Sequence, residues 1–302
     1  MPGASDLRDR LGPTGVWANW ATGVPLEDLL AAVREVEALG FRAFWFAETP
    51  RTREAFVQAA LILGATERLV VATGITSVYG RDAIAMHAGA AALQEAYPGR
   101  FVLGLGVSHA PAVQSRGHAY GKPVATMRSY LDAMDETAAQ DGTAPPAPRV
   151  LAALRPRMLE LARDRTAGAH PYFVPVEHSR QAREVLGGGP LLAPEQAVVL
   201  GTDPGEARAT ARAFMQRYLR LPNYRNSLLH LGYAEEELEP QRPSDRVVDD
   251  IVAWGDADAL AARVRAHHES GADHVCVQAL APAPAAAVQQ LRALAATGVV
   301  DA

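Results

Sequence analysis

An unbroken run of apolar residues and glycine, Phe101 to Val107, stops abruptly at Ser108-His109-Ala110-Pro111. A run without alternation marks a strand buried on both faces, and such strands belong to parallel sheets. Pro111 has no N–H to offer a ladder, so the strand cannot continue through it. In a barrel of parallel strands the active site lies at the C-terminal strand tips. A hydroxyl and an imidazole therefore stand where chemistry is expected. Gly104 and Gly106 let backbone or ligand come close.

The remaining sequence repeats this unit. Strands are predicted at 16–20, 43–47, 69–76, 101–107, 150–154, 167–174, 197–200 and 274–279, and helices at 26–39, 54–65, 83–97, 124–139, 156–165, 177–186 and 284–296. Asp82 and Asp203 stand where helix N-caps belong, the latter followed by Pro204. Eight alternating units imply an α/β fold, a (β/α)8 TIM barrel. The 302 residues, 49% hydrophobic, suit one such domain over 1–302. Inserted helices are expected between strands 7 and 8, with 211–271 forming a lid or a dimerisation surface.

A formal net charge of −5 leaves no basic excess to neutralise phosphates, so no nucleic-acid partner is expected. No apolar stretch is long enough for a membrane span, and residues 1–15 carry no signal-peptide core. The expectation is a cytoplasmic protein that meets no membrane. Cys276 is the only cysteine, so neither an internal disulfide nor a cysteine metal site is expected, and no metal ligand set stands out. Gly104-Leu-Gly106 is not a dinucleotide fingerprint, because position 109 is His and no helix opens directly after it. With no nucleophile or metal motif in view, a cofactor that carries the reaction fits best.

Among titratable groups, His109 suits proton transfer because its ordinary pKa lies near operating pH. Glu48, after the second strand, also faces the predicted mouth. Asn19 on the first strand and His170 near the sixth strand's tip are further candidates for contacts there.

This arrangement resembles the luciferase-like monooxygenase superfamily, and within it the coenzyme F420-dependent oxidoreductases, in an actinobacterial subgroup. The most specific stretches are Gly104-Leu-Gly-Val-Ser-His-Ala-Pro111, Leu192-Ala-Pro-Glu-Gln-Ala-Val-Val-Leu200 and Leu221-Pro-Asn-Tyr-Arg-Asn226. The Arg-rich composition, with Lys122 the sole lysine, agrees with a GC-rich bacterial source. The resemblance implies a barrel mouth holding a deazaflavin (coenzyme F420) or, alternatively, FMN. It implies a non-proline cis peptide at Gly74-Ile75, in a bulge against the ring supported by Thr73. It implies phosphate contacts near the backbone of Gly168, Ala169 and His170, and cofactor contacts from Val107 and Ser108. Family members carry an acid followed by histidine after the second strand. Here the pair is Glu48-Thr49, so the imidazole role passes either to His109 or to water.

The function so implied is hydride transfer between F420 and a small organic substrate, in a homodimer. Catalytic roles fall to His109 and to Glu48, which either orients His109 or tunes the site's charge. The alternatives are an FMN-dependent monooxygenase and a non-catalytic ligand-binding barrel. Arg51, Arg53, Arg81 and Arg116 are candidates to meet the deazaflavin's acidic tail, the alternative being a solvated rim.

Overall fold

The computed structural model describes residues 4–50, 52–141 and 146–301. Among them run eleven strand segments: β1 Thr14–Trp17, β2 Ala43–Phe46, β3 Val70–Thr73, β4 Thr76–Ser77, β5 Phe101–Gly106, β6 Arg149–Leu151, β7 Gly168–Ala169, β8 Leu191–Leu192, β9 Glu195–Leu200, β10 Val252–Gly255 and β11 Val275–Ala279. The sheet order is β10-β9-β11-β1-β2-β3-β5-β6-β7-β8, and β4 pairs with β5. The ladders are parallel throughout this path.

With β10 set aside, the path closes on itself within one stretch of chain. β8 pairs with β7 and β9 pairs with β11, and only Ala193-Pro194 separates the two segments. Ala193 N–H donates to Ala169 O at 2.9 Å, while Cys276 N–H donates to Pro194 O at 2.8 Å. Pro194 has no N–H, so the ladder is interrupted there. Counted with β3 and β4 as one strand, β8 and β9 as another, and β10 outside the ring as a further neighbour of β9, the ring has the expected eight members.

Inward and outward side chains alternate along each strand. Trp17, Trp45, Val70, Ala72, Val102, Val150 and Leu191 fill the inside, joined by Cys276. Val16, Phe44, Phe46, Val71, Phe101, Leu103 and Leu151 pack outward against the helix layer. The expected caps are present: Asp82 Oδ1 accepts from Ala85 N–H at 2.7 Å, and Asp203 Oδ1 from Glu206 N–H at 2.8 Å.

Region 211–271 departs from the helices-only expectation. β10 lies inside it and extends the sheet by pairing in parallel with β9. Its four residues follow helix Asp245–Ile251 without a linker, so no turn signal announces them. The helices Pro204–Leu219 and Pro222–His230 supply Tyr218 and Tyr224 to the interior cluster, so this end of the region packs against the barrel mouth. No helix among the described residues is long and apolar enough to cross a membrane.

Four buried histidines are held in neutral form by burial. His178 Nε2 donates to Leu154 O at 2.8 Å, and its pKa is lowered to about 4. His274 Nδ1 donates to Gly12 O at 2.7 Å while Nε2 accepts from Trp45 Nε1 at 3.1 Å, and its pKa falls to about 3. His267 bonds Ser179 Oγ at 2.8 Å and Gln196 Oε1 at 2.9 Å, again with a pKa near 3. This Ser–His pair has the look of a nucleophile and base, but both residues are fully buried, so it is a structural network. His170 is the fourth.

Candidate active site

The site begins with a change of register. Ala72 pairs with Val102, but Thr76 pairs with Leu105, so β3–β4 holds one residue more than β5 across the same interval. That extra residue is a β-bulge. The hydroxyl of Thr73 bridges the gap, donating to Gly104 O and accepting from Gly104 N–H, both at 2.9 Å. A Cβ on Gly104 would lie 1.8 Å from Thr73 O, so only glycine fits opposite the bulge. On the β2 side the ladder continues, with Gly74 N–H donating to Phe46 O at 2.7 Å and Glu48 N–H to Ile75 O at 2.9 Å. The Gly74-Ile75 peptide is cis.

Gly74 points into the barrel. A Cβ there would meet Trp17 Nε1 at 2.6 Å and His170 Nε2 at 2.9 Å. Both nitrogens are buried and lack a hydrogen-bond partner among the described residues, as does the Oγ1 of Thr76, two residues after Gly74. His170 Nδ1 donates to Ala193 O at 2.7 Å, which leaves Nε2 the bare acceptor. Burial lowers its pKa to about 4, and its ring stacks on Trp45 with centroids 4.5 Å apart. His170 is therefore neutral and fixed in one tautomer.

At the tip of β5, Ser108 adopts a left-handed backbone, φ +57°. A side chain is strained in that region, and such residues concentrate at functional sites. His109 follows, and its Nδ1 donates to Asn223 Oδ1 at 3.1 Å. Its ring lies 5.4 Å from Tyr224. Burial lowers the His109 pKa, the bond to Asn223 opposes that, and Arg217 adds to the lowering. The result is a neutral imidazole whose Nε2 can take up a proton.

Glu48 is engaged elsewhere. Its carboxylate accepts from Arg81 at 3.0 Å, Arg116 at 3.4 Å and Ser77 N–H at 2.9 Å. Of the two roles expected for it, this arrangement fits charge tuning, and His109 is oriented by Asn223. Arg81 also pairs with Glu54, and Arg53 donates to the carbonyls of Ala21 and Val24. The three arginines just named thus have partners within the chain. Arg51 and the side chain of Asn19 lie outside the described residues.

The side chains of two expected cofactor contacts point away from the barrel interior. Val107 and Ala169 pack in the apolar layer outside the barrel, because the alternation that turns Gly168 and His170 inward turns Ala169 outward. The Gly168 N–H donates to Thr166 Oγ1 at 3.3 Å and the His170 N–H to Leu151 O at 2.8 Å, so both amides have partners within the chain.

Sequence reasoning assigned no role to the aromatic wall of the mouth. Tyr172 and Phe173 follow β7, Phe173 with φ +61°. Trp17 lies 4.9 Å from Tyr172, Phe173 stacks on Tyr218 at 5.1 Å, and Tyr218 meets Tyr224 edge-on at 5.4 Å. Asn223 and Tyr224 do fall in the Leu221–Asn226 stretch singled out for its resemblance, and Pro222 opens their helix.

Comparison with solved structures returns the same fold at low identity. An F420-dependent secondary alcohol dehydrogenase in complex with an F420–acetone adduct superposes with a TM-score of 0.75 at 14% identity, covering 96% of this chain and 99% of that one. The coenzyme F420-dependent tetrahydromethanopterin reductase from Methanopyrus kandleri gives 0.71 at 12% identity, with 94% and 97% covered. The oxygenating constituent of 3,6-diketocamphane monooxygenase from the CAM plasmid of Pseudomonas putida, in complex with FMN, gives 0.69 at 16%, with 94% and 97% covered. These likenesses establish the fold alone. The family model for luciferase-like monooxygenases matches residues 11–274, from before β1 to the residue that precedes β11. By that match across nearly the whole barrel, the chain belongs to the luciferase-like monooxygenase family.

Proposed function

We propose that this protein is an F420-dependent oxidoreductase that transfers a hydride between the deazaflavin and a small organic substrate at the C-terminal mouth of the barrel. The observation that carries the reading is the bulge at Thr73-Gly74-Ile75, one strand away from His109. It lies where the family resemblance puts the support for the ring. The buried, unpartnered Trp17 Nε1, His170 Nε2 and Thr76 Oγ1 fit a polar heteroaromatic group nearby.

Bound there, a deazaflavin would supply or accept hydride at a ring carbon. The protein's part is positional and acid–base. Thr73 holds the bulge by its two bonds to Gly104. His109 Nε2 removes the proton from a substrate hydroxyl in oxidation, or returns it in reduction, while Asn223 fixes the tautomer. The wall of Tyr172, Phe173, Tyr218 and Tyr224 keeps water away from the reacting atoms. Glu48, with Arg81 and Arg116, sets the charge at the rim.

Separate titrations with F420 and FMN, followed by tryptophan fluorescence, test this reading. Micromolar or tighter binding of F420 with FMN silent is expected. Preference for FMN would replace the reading with a flavin monooxygenase, and binding of neither would favour a ligand-binding barrel. With a substrate in hand, His109→Gln should lower kcat by about 100-fold or more, with cofactor Kd nearly unchanged. Loss of cofactor affinity at an unchanged turnover of loaded enzyme would remove the acid–base role.

A further inference from the structure

Glu195 opens β9 and faces the barrel interior at 1% exposure. Phe173 N–H donates to its Oε2 at 3.0 Å, while Oε1 has no hydrogen-bond partner among the described residues. The titratable groups that feel its charge come from four directions. Tyr172 comes from the segment after β7, Tyr218 from helix Pro204–Leu219, Tyr224 from helix Pro222–His230, and Cys276 from β11. None of these is cationic. Arg217 acts electrostatically on Tyr218, Tyr224 and His109.

The cluster is continuous with the mouth. Tyr172 and Tyr218 share a hydroxyl–hydroxyl bond at 2.8 Å, and Tyr172 also donates to Gln278 Oε1 at 2.9 Å. Gln278 Nε2 is buried and has no hydrogen-bond partner among the described residues. Tyr224 touches Tyr218 on one side and His109 on the other, with centroids 5.4 Å apart in each pair. A carboxylate in such a place, with one amide for support and no counter-charge, costs several kcal/mol (roughly) relative to water, so the group stays protonated instead.

We propose that Glu195 is a positioning residue: as a neutral carboxylic acid it lets the tyrosine stack close over the mouth, and its ionisation shifts that stack and with it His109. In the protonated form the stack holds Asn223 and Tyr224 against the imidazole. Loss of the proton to solvent places an uncompensated charge among Tyr172, Tyr218 and Tyr224, whose hydroxyls then turn toward it. The inference concerns the chain's own residues and holds whichever cofactor occupies the mouth. Burial pushes the Glu195 carboxyl up to about 8, which places the change within reach of ordinary buffers.

Two readouts on the full-length protein without cofactor test it. Infrared difference spectra between pH 6 and pH 9.5 should show a protonated-carboxyl carbonyl band lost with a midpoint near pH 8, and Glu195→Gln should lack the band. The His109 ring proton resonance should move through the same midpoint in the wild type and stay flat in Glu195→Gln. Tyr172→Phe, which keeps Glu195 but removes the hydroxyl link, should retain the band and diminish the His109 response. The wild-type spectrum alone overturns the proposal if no such band is present at pH 6, even if Glu195→Gln fails to fold. An undiminished His109 transition in Glu195→Gln would overturn the coupling.

Discussion

Mild acid is expected to unfold this protein over a narrow pH interval. His170 and His178 have pKa values lowered to about 4, and His267 and His274 to about 3. In the unfolded chain each titrates at about 6.5. Between those values the unfolded state binds more protons than the native state, so stability rises with pH there. The contribution is complete above about pH 6.5 and is lost as pH falls toward the native values. Glu195 works in the opposite direction. Its raised pKa makes the native state hold a proton that the unfolded chain releases above about 4.5, so its contribution fades as pH rises toward about 8. Four histidines against one glutamate leave a net difference of about three protons, or about 4 kcal/mol per pH unit between roughly pH 5.5 and 4.5. Domains typically have about 5–15 kcal/mol in total. Urea midpoints should therefore fall steeply below about pH 6 and reach zero within about two pH units. His267→Gln should flatten that slope by about a third. A midpoint that is level from pH 7 to pH 5 would show that these imidazoles are not buried in neutral form.

Gly104→Ala is expected to be severely damaging to the fold at this site. The new Cβ would stand 1.8 Å from the Thr73 carbonyl oxygen, and that oxygen belongs to the backbone of the bulge. Relief requires separating β3 from β5 and breaking both bonds from the Thr73 hydroxyl to Gly104. Overpacking in a well-packed core costs about 1–3 kcal/mol, and more where backbone must move. A loss above about 3 kcal/mol, seen as insoluble expression or a collapsed denaturant midpoint, follows. Gly106→Ala is the control. Its Cβ would meet Cδ1 and Cγ1 of Ile75 at 2.6 Å, and a side chain can rotate aside. That variant should fold with a cost of about 1–2 kcal/mol. Equal effects from the two substitutions would mean that the bulge is not rigidly held.

The ring of eight strands was legible because parallel strands, buried on both faces, are written as plain apolar runs. The tip of β5 was legible because a polar Ser108-His109 and a proline end such a run. The position of the bulge came from resemblance and was then found in the register of β3–β4 against β5. Other features left no local trace. The partner of His109 is Asn223, 114 positions away, and no periodicity reports such a pairing. Residues 170–174 read as strand because they are apolar and aromatic, yet β7 ends at Ala169. Pro171 and the left-handed Phe173 turn the chain so that Tyr172 enters the mouth. The inward or outward sense of Val107 and Ala169 was hidden for the reason that made their strands recognisable: both faces are apolar.

The closure of the ring also bears on how the chain is made. Thr14 pairs with Val275 and Val16 with Val277, so the first barrel strand finds its last neighbour only after nearly the whole chain exists. At about 5–20 residues per second, a growing polypeptide needs on the order of tens of seconds to span that interval on the ribosome. Through that time one edge of β1 stands open, with its unpaired amides and carbonyls available to any other strand in the cell. Production of this barrel in a foreign host should accordingly depend on translation speed and chaperone supply more than on the stability of the finished fold.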